Sequence, residues 1–252
     1  NSTAYDKLPR GLRRGIGTIA GKLPAKRGVN FFVRKGKDLE ERFIGNAYMF
    51  TPAERSALLK APGKAPDPTV ITKPFYDKVQ DQDDVTKMQY LDLHLWMTGD
   101  ILLKADKMSM ANSLELRVPF LDKEVMGVAE RIPTRYRVTR TESTDAHTPY
   151  ITKYAMRLAA KRDTPPQTAK TAAKKKLGFP VPIRVWLKED TYFNLVKDRF
   201  TSPAAEQFFH TEKLVSLLED HRAGKADNSR KIWTVFMFLV WYGVYFENGV
   251  KE

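Results

Sequence analysis

"KMSMANSLELRVPFLD", residues 107–122, sets two methionines, a glutamate and an arginine among Leu114, Leu116, Val118 and Phe120, and then meets a proline. Apolar neighbours at this density mark the stretch as buried ground. Extended upstream to "DILLKADKMSMANSLELRVPFLD" (100–122), it places Ile101, Leu102, Ala105, Met108 and Asn112 on one helical face, with Asp100, Lys104 and Lys107 or Met108 three or four apart on an adjoining one. Such a helix presents charges at the edge of a cleft, or else carries i, i+4 ion pairs on the wet side of a core helix. Glu115 and Arg117 stand one residue apart, and buried charges persist only when paired, so the two are expected to form a buried pair that fixes a polar junction. Pro119 forces the residue before it into extended geometry and is expected to end the helix. Met108 and Met110 read as adaptable core filler.

The whole chain sets limits on what this stretch can do. Its 252 residues suffice for one large domain or two small ones, and 42% hydrophobic with 29% charged residues is the balance of a globular protein. There is no cysteine, which removes disulfides, thiolate metal sites and cysteine nucleophiles, and the four histidines are scattered (His94, His147, His210 and His221), so no metal centre is expected. The longest apolar run, Ile232 to Phe246, is shorter than the roughly 20 residues of a bilayer span. It reads as a buried helix with Trp233, Trp241 and Tyr245 among its large aromatics. The N-terminal "NSTAYDKLPRGLRRGIG" has no signal-peptide order and does not begin with methionine, so the chain is read as a piece of a longer, cytoplasmic polypeptide. A net charge of +13 favours an anionic partner: nucleic acid, a phosphorylated ligand or an acidic neighbouring domain.

Periodicity predicts helices nearly throughout. Leu8, Leu12, Ile16, Ile19 and Leu23 keep helical spacing despite four intervening glycines, and Leu39, Phe43, Ala47 and Phe50 form another stripe after a Gly- and Lys-rich break at 24–37. Thr51, Pro52 and Glu54 form a capping box for the next helix. The proline-rich residues 61–73 read as a surface loop. From Asp84 to Asn112 the pattern predicts two helices broken near Thr98 and Gly99; Asp122 caps another that Pro133 ends, and "RYRV" (135–138) suits a short strand. Helices are expected again at about 149–162, 181–189, 203–209, 211–223 and 228–247. The result is a mainly α body with almost no sheet of its own, taken as one partial domain over 1–252 with a flexible basic loop at about 163–180.

The stretch at 100–122 resembles the signature segment of the glutamine-dependent asparagine synthetases, in which a Leu-Leu/Val-Lys-Asp-Arg-Met-Ser-Met-Ala run leads into Ser-Leu-Glu-Val-Arg-Val-Pro-Phe-Leu-Asp. "LEERFIGNAYMFTPAERSALL" (39–59), "TKYAMRLAA" (152–160) and "KKKLGFPVPIRVWL" (174–187) are similar to further segments of that family, so the resemblance covers about 8–60 and 84–190. The family's glutaminase domain, its Ser-Gly-Gly-x-Asp-Ser pyrophosphate loop and its Gly-Glu-Gly-Ser/Ala-Asp-Glu motif have no counterpart in this sequence. The resemblance therefore implies the helical C-terminal portion of an α/β, adenine-nucleotide-hydrolase-like (ATP-pyrophosphatase) synthetase domain. Its glutaminase domain and ATP-binding half are implied partners on the same polypeptide, and a second copy of the chain is another candidate partner.

In that family aspartate is adenylated by ATP, with Mg, and glutamine-derived ammonia displaces AMP. The resemblance implies that Lys176, two residues before Gly178, reaches the phosphates, with Lys174 and Lys175 as supporting cations. Asp106, Lys104 and Asp100 fall on cleft-side positions for aspartate or AMP, Glu115 and Arg117 on structural ones, and Met108 and Met110 could line the ammonia passage. The insertion-like "TESTDAHTP" (141–149) and "QTAKTAAKKK" (167–176) depart from the family pattern and leave the register of the lysines open by a residue or two. Without a pyrophosphate loop, the chain by itself is expected neither to hold ATP nor to make asparagine. Two other functions fit parts of the sequence: a related carboxylate-adenylating amidotransferase of the β-lactam synthetase kind, and a basic helical nucleic-acid-binding module built on "RGLRR" and "KKK". The second lacks aromatics interleaved with those clusters. No nucleic-acid or membrane partner is expected.

Overall fold

The computed structural model describes residues 4–23, 27–46, 48–140, 150–174 and 181–247. It divides into two compact units, residues 1–45 with 72–178 and residues 46–71 with 179–252, and the boundary at Ile71 and Thr72 falls inside the helix Thr69–Tyr76. The described residues are overwhelmingly helical, as the periodicity predicts, and the strands are confined to one short ladder.

In the first unit, the helices Arg10–Ala20 and Arg27–Lys35 pair closely; the second lies in what the sequence suggested was a break. The pairing depends on two glycines. A Cβ added to Gly17 would stand 2.9 Å from Gly36 Cα, and one added to Gly36 would stand 2.8 Å from Gly17 Cα. Tyr5, Phe31 and Phe32 close one end, their ring centroids 5.3–5.8 Å apart, and the Tyr5 hydroxyl donates to the Arg13 carbonyl at 3.2 Å. The "RGLRR" cluster thus does have aromatic neighbours, brought from elsewhere in the chain, but they are spent on packing one another. Arg10 and Arg14 pair with Asp38, and Arg14 also with Glu41. The stripe expected over 39–50 yields only Leu39–Arg42, after which the chain turns extended at Phe43. The Phe43 carbonyl is taken by the hydroxyl of fully buried Tyr76 at 2.7 Å, and burial, with Glu40 and Asp92 nearby, pushes that phenol up to about 12.

From Asp84 onward there is no break at Thr98–Gly99. The α-helix Asp84–Leu91 runs into an eleven-residue π-helical segment, Asp92–Leu102, and on into the α-helix Leu103–Met110. The reason is local: the His94 ring contacts the Tyr90 carbonyl at 2.8 Å, and the Thr98 hydroxyl donates to the His94 carbonyl at 2.6 Å. Side chains that bond carbonyls four residues back compete with the ladder and loosen it, and Gly99 adds no preference of its own. At the start of this long rod, Asp83 accepts from the N–H groups of Val85 and Thr86 and from the hydroxyl of Thr134 at 2.7 Å, while Arg137 reaches Gln89 and Thr86.

The stop of the signature helix differs from the expectation. It ends at Met110, well before Pro119: Ser113 adopts a left-handed φ of 55°, the Leu114 N–H returns to the Ser109 carbonyl at 2.9 Å, and the Ser113 N–H to that of Met110 at 3.0 Å. Those two bonds form a Schellman cap. Pro119 acts later, holding Val118 at a non-helical φ of −125° and opening a short turn, Pro119–Leu121. Asp122 then caps Lys123–Glu130 as expected, and Val138–Arg140 pairs antiparallel with Tyr150–Thr152, so that "RYRV" contributes only its last residue to a strand. Residues 141–149 lie outside the described set.

In the second unit, Thr51 and Glu54 form the expected capping box on Pro52–Leu58, their backbone–side-chain bonds 3.3 and 2.9 Å long. The helices Asp190–Phe200, Pro203–Phe208, Thr211–Arg222 and Ser229–Tyr242 pack around a core of Leu58, Phe193, Phe200, Leu214, Leu218, Ile232 and Leu239. Asp190–Phe200 went unanticipated although Phe193, Val196 and Phe200 are all buried at i, i+3 and i+7. The Lys60 N–H bonds the Phe208 carbonyl and the His210 N–H that of Leu58, each at 2.9 Å, while Lys231 pairs with Glu54. These contacts tie sequence-distant segments into one unit.

Candidate functional site

The expected site residues that the structure describes all belong to the first unit. Asp100 sits in the π-helical segment and Lys104 one turn on, their charged atoms 3.8 Å apart; the Trp96 indole N–H also donates to Asp100 at 2.9 Å. Asp100 is thereby oriented from both sides along the rod, while remaining about half exposed. Asp106 follows on the same helix and is exposed. The widened segment lines up an indole, a carboxylate and an ammonium on one strip of its surface.

Glu115 and Arg117 do form their ion pair, but not on buried ground: their side chains are 71% and 83% exposed. The neighbours that marked the stretch as buried are also open to solvent, with Met108 at 61%, Met110 at 62% and Phe120 at 67%. The physical reason is that the Schellman turn and the extended run 114–118 leave these side chains without any covering element among the described residues. Core filler is therefore not what the two methionines are in this chain.

Lys174 ends the helix Pro166–Ala173, which occupies the first part of the expected flexible loop. Thr164, held extended ahead of Pro165, turns the chain, and an Ala- and Gln-containing run with no glycine then propagates as helix. The Lys174 carbonyl accepts from Arg157 Nη1 at 3.0 Å; that nitrogen also reaches the Ala172 carbonyl, and Arg157 Nε donates to the Thr152 carbonyl at 3.0 Å. Lys175 and Lys176 lie outside the described residues. Among the described residues no hydrogen bond or ion pair joins Lys174 to Asp100, Lys104 or Asp106, and no group of three or more His, Asp or Glu side chains converges as a metal site would require. Sequence reasoning missed Trp96 and Arg157; the i, i+4 spacing of Trp96 to Asp100 was the available signal for the first.

An open hollow lies elsewhere. In the second unit, an open cleft of about 510 Å³ is lined by Arg184, Lys188, Glu189, His221 and Asp227, and none of the expected site residues contributes to it. His221, 1% exposed, bonds the Arg184 carbonyl through Nε2 at 3.0 Å and receives the Asn228 N–H at Nδ1 at 3.3 Å. One ring nitrogen ties the helix Thr211–Arg222 to Arg184, and the other holds Asn228 just before Ser229–Tyr242. The Asp227 carboxyl is held below its ordinary value, chiefly by the Ser229 hydroxyl.

What the fold and this arrangement define is a helical module carrying an oriented acidic–basic strip and a helix end braced at Lys174. Comparison with known proteins places it: the family model described as Asparagine synthase matches residues 14–243, and the chain belongs to that family. It is 41% identical over 244 residues to asparagine synthetase [glutamine-hydrolyzing] 1 of Bacillus subtilis (strain 168), covering 96% of this chain and 37% of that protein. It is likewise 41% identical over 249 residues to a putative asparagine synthetase [glutamine-hydrolyzing] of Mycobacterium bovis, covering 98% of this chain and 36% of that one. The chain thus spans little more than a third of the length of these relatives. No solved structure matches it significantly. No helix among the described residues is long and apolar enough to cross a membrane.

Proposed function

We propose that this chain is the helical C-terminal portion of an ATP-pyrophosphatase-type synthetase domain, and that the polypeptide carrying it converts aspartate to asparagine. The observation that supports this most strongly is the family match across residues 14–243, which spans the oriented strip at 96–106, the Glu115–Arg117 junction and the basic run at 174–176. The names of the relatives favour asparagine synthesis over the β-lactam synthetase kind of chemistry. ATP, with its magnesium, enters as substrate, and an ATP-binding half and a glutaminase domain elsewhere on the polypeptide supply nucleotide binding and ammonia.

In the reaction an oxygen of the aspartate side-chain carboxylate attacks the α-phosphorus, the bond to the bridging oxygen breaks, and pyrophosphate leaves. Ammonia then adds to the acyl carbon and AMP departs with the carboxylate oxygen. Negative charge crowds around the α-phosphorus in the first step, so stabilisation must come from cations held close to it. Lys176 fills that role, with Lys174 and Lys175 adding positive potential; Lys104, Asp100 and Asp106 face the polar ends of aspartate or AMP.

The test uses the full-length polypeptide. With aspartate, ATP and glutamine the wild type releases AMP and asparagine, and Lys176→Ala lowers AMP release by about 100-fold or more, the scale seen when one group that stabilises transition-state charge is removed. Undiminished AMP release by a folded Lys176→Ala protein overturns the role given to that lysine, and a wild type that makes no AMP overturns the function.

A further inference from the structure

We propose that Arg157 is a positioning residue for Lys174, the cation at the end of the helix Pro166–Ala173, an inference that rests on the adenylation reading above. Its guanidinium binds three main-chain carbonyls from two places in the chain: Thr152 at the end of a strand, and Ala172 and Lys174 at the end of the helix Pro166–Ala173. Lys153, between the strand and the arginine's own helix, has a left-handed φ of 55°, a conformation that a residue with a Cβ adopts only when its surroundings hold it. The helix Pro166–Ala173 ends without glycine and without a Schellman cap, at a Lys174 with extended backbone. Arg157 supplies what both ends lack.

Only arginine suits this task. Three carbonyls in two directions need a planar fork of N–H donors, whereas a lysine ammonium is a compact donor on a flexible stem that cannot span them. A cation at the last carbonyls of a helix is also favoured by the helix dipole. Bracing the Lys174 carbonyl fixes the main chain that carries the Lys174 side chain. Arg157 touches no reacting atom; it acts through the residue whose main chain it holds.

The experiment compares wild type with Arg157→Lys and Arg157→Gln in the full-length polypeptide, by two readouts. The first is aspartate-dependent ATP–pyrophosphate exchange. Arg157→Lys is expected to lose tenfold or more in kcat while KM for aspartate stays within twofold, because substrate binding is not what the brace controls. The second needs no activity: limited trypsin digestion mapped by mass spectrometry, in which cleavage after Lys174 is expected to accelerate at least fivefold in both variants while cleavage at sites in the second unit is unchanged. Variants that exchange within twofold of an active wild type, or whose cleavage after Lys174 is unaltered, overturn the positioning role alone. A parallel fall of kcat, KM quality and melting temperature makes Arg157 merely structural and also overturns it. A wild type with no exchange removes the adenylation reading and this inference with it.

Discussion

Replacing Gly17 by alanine separates two forces that act on the same residue with opposite signs. In the middle of a helix the change from glycine to alanine is worth about 1 kcal/mol in favour of the alanine. At Gly15, one half-turn earlier and exposed, nothing lies within 4 Å of an added Cβ, so that gain is collected in full. At Gly17 the new Cβ would stand 2.9 Å from Gly36 Cα and 3.1 Å from the Phe32 carbonyl oxygen. Both obstacles are backbone, which cannot swing aside as a side chain can, so the two helices must part by about half an ångström or more. Overpacking of this kind costs about 1–3 kcal/mol, which exceeds the propensity gain. Gly17→Ala is therefore expected to destabilise the Arg10–Lys35 pair by up to about 2 kcal/mol, while Gly15→Ala stabilises it by up to about 1 kcal/mol. Amide hydrogen exchange across residues 10–35 reads both, faster in the first and slower in the second. If the two variants shift exchange in the same direction, the glycine contact does not hold the pair.

Two further perturbations address the second unit. Phe200→Ala removes a side chain with 0% exposure from its core and is expected to cost about 3–5 kcal/mol in a denaturant melt, whereas Trp233→Ala, at a side chain 44% exposed, costs well under half of that. Burial pushes the Glu54 carboxyl up, but the Lys231 ammonium and the Thr51 N–H and hydroxyl outweigh it and leave it below its ordinary 4.5. With the folded value depressed, the stabilisation is present above pH 4.5 and is lost as the pH falls through the folded value; with solvent screening it amounts to less than about 1 kcal/mol. Wild type should therefore lose stability relative to Glu54→Gln in urea melts as the pH drops from 5 to 3, and parallel curves would show that the pair contributes nothing.

The sequence disclosed those features that depend on neighbours in the chain. The Thr51–Glu54 box and the Asp122 cap are bonds between residues two or three apart, and both stand where composition put them. Features set by distant segments were not legible. The Gly17–Gly36 contact turned a glycine-rich stretch into paired helices, and the Phe193, Val196 and Phe200 stripe was hidden by the polar residues around it. The opening stretch misled for a third reason. Leu114, Leu116, Val118 and Phe120 signal burial against something, but the something is not among the residues described, and apolar composition alone does not say which element covers it. For the site, spacing along one helix offered an i, i+4 pairing of Asp100 with Lys104 as one of two readings, and the pair is present. It could not foretell the widened turns that bring Trp96 onto Asp100, nor the reach of Arg157 to a carbonyl 17 residues away.

The most direct test of the central claim follows the oxygen. The full-length polypeptide is given aspartate labelled with ¹⁸O in its side-chain carboxylate, together with ATP and glutamine, and the products are weighed by mass spectrometry. Adenylation of that carboxylate predicts one ¹⁸O in the AMP formed alongside asparagine and none in pyrophosphate; label in inorganic phosphate, or AMP without label, would contradict it.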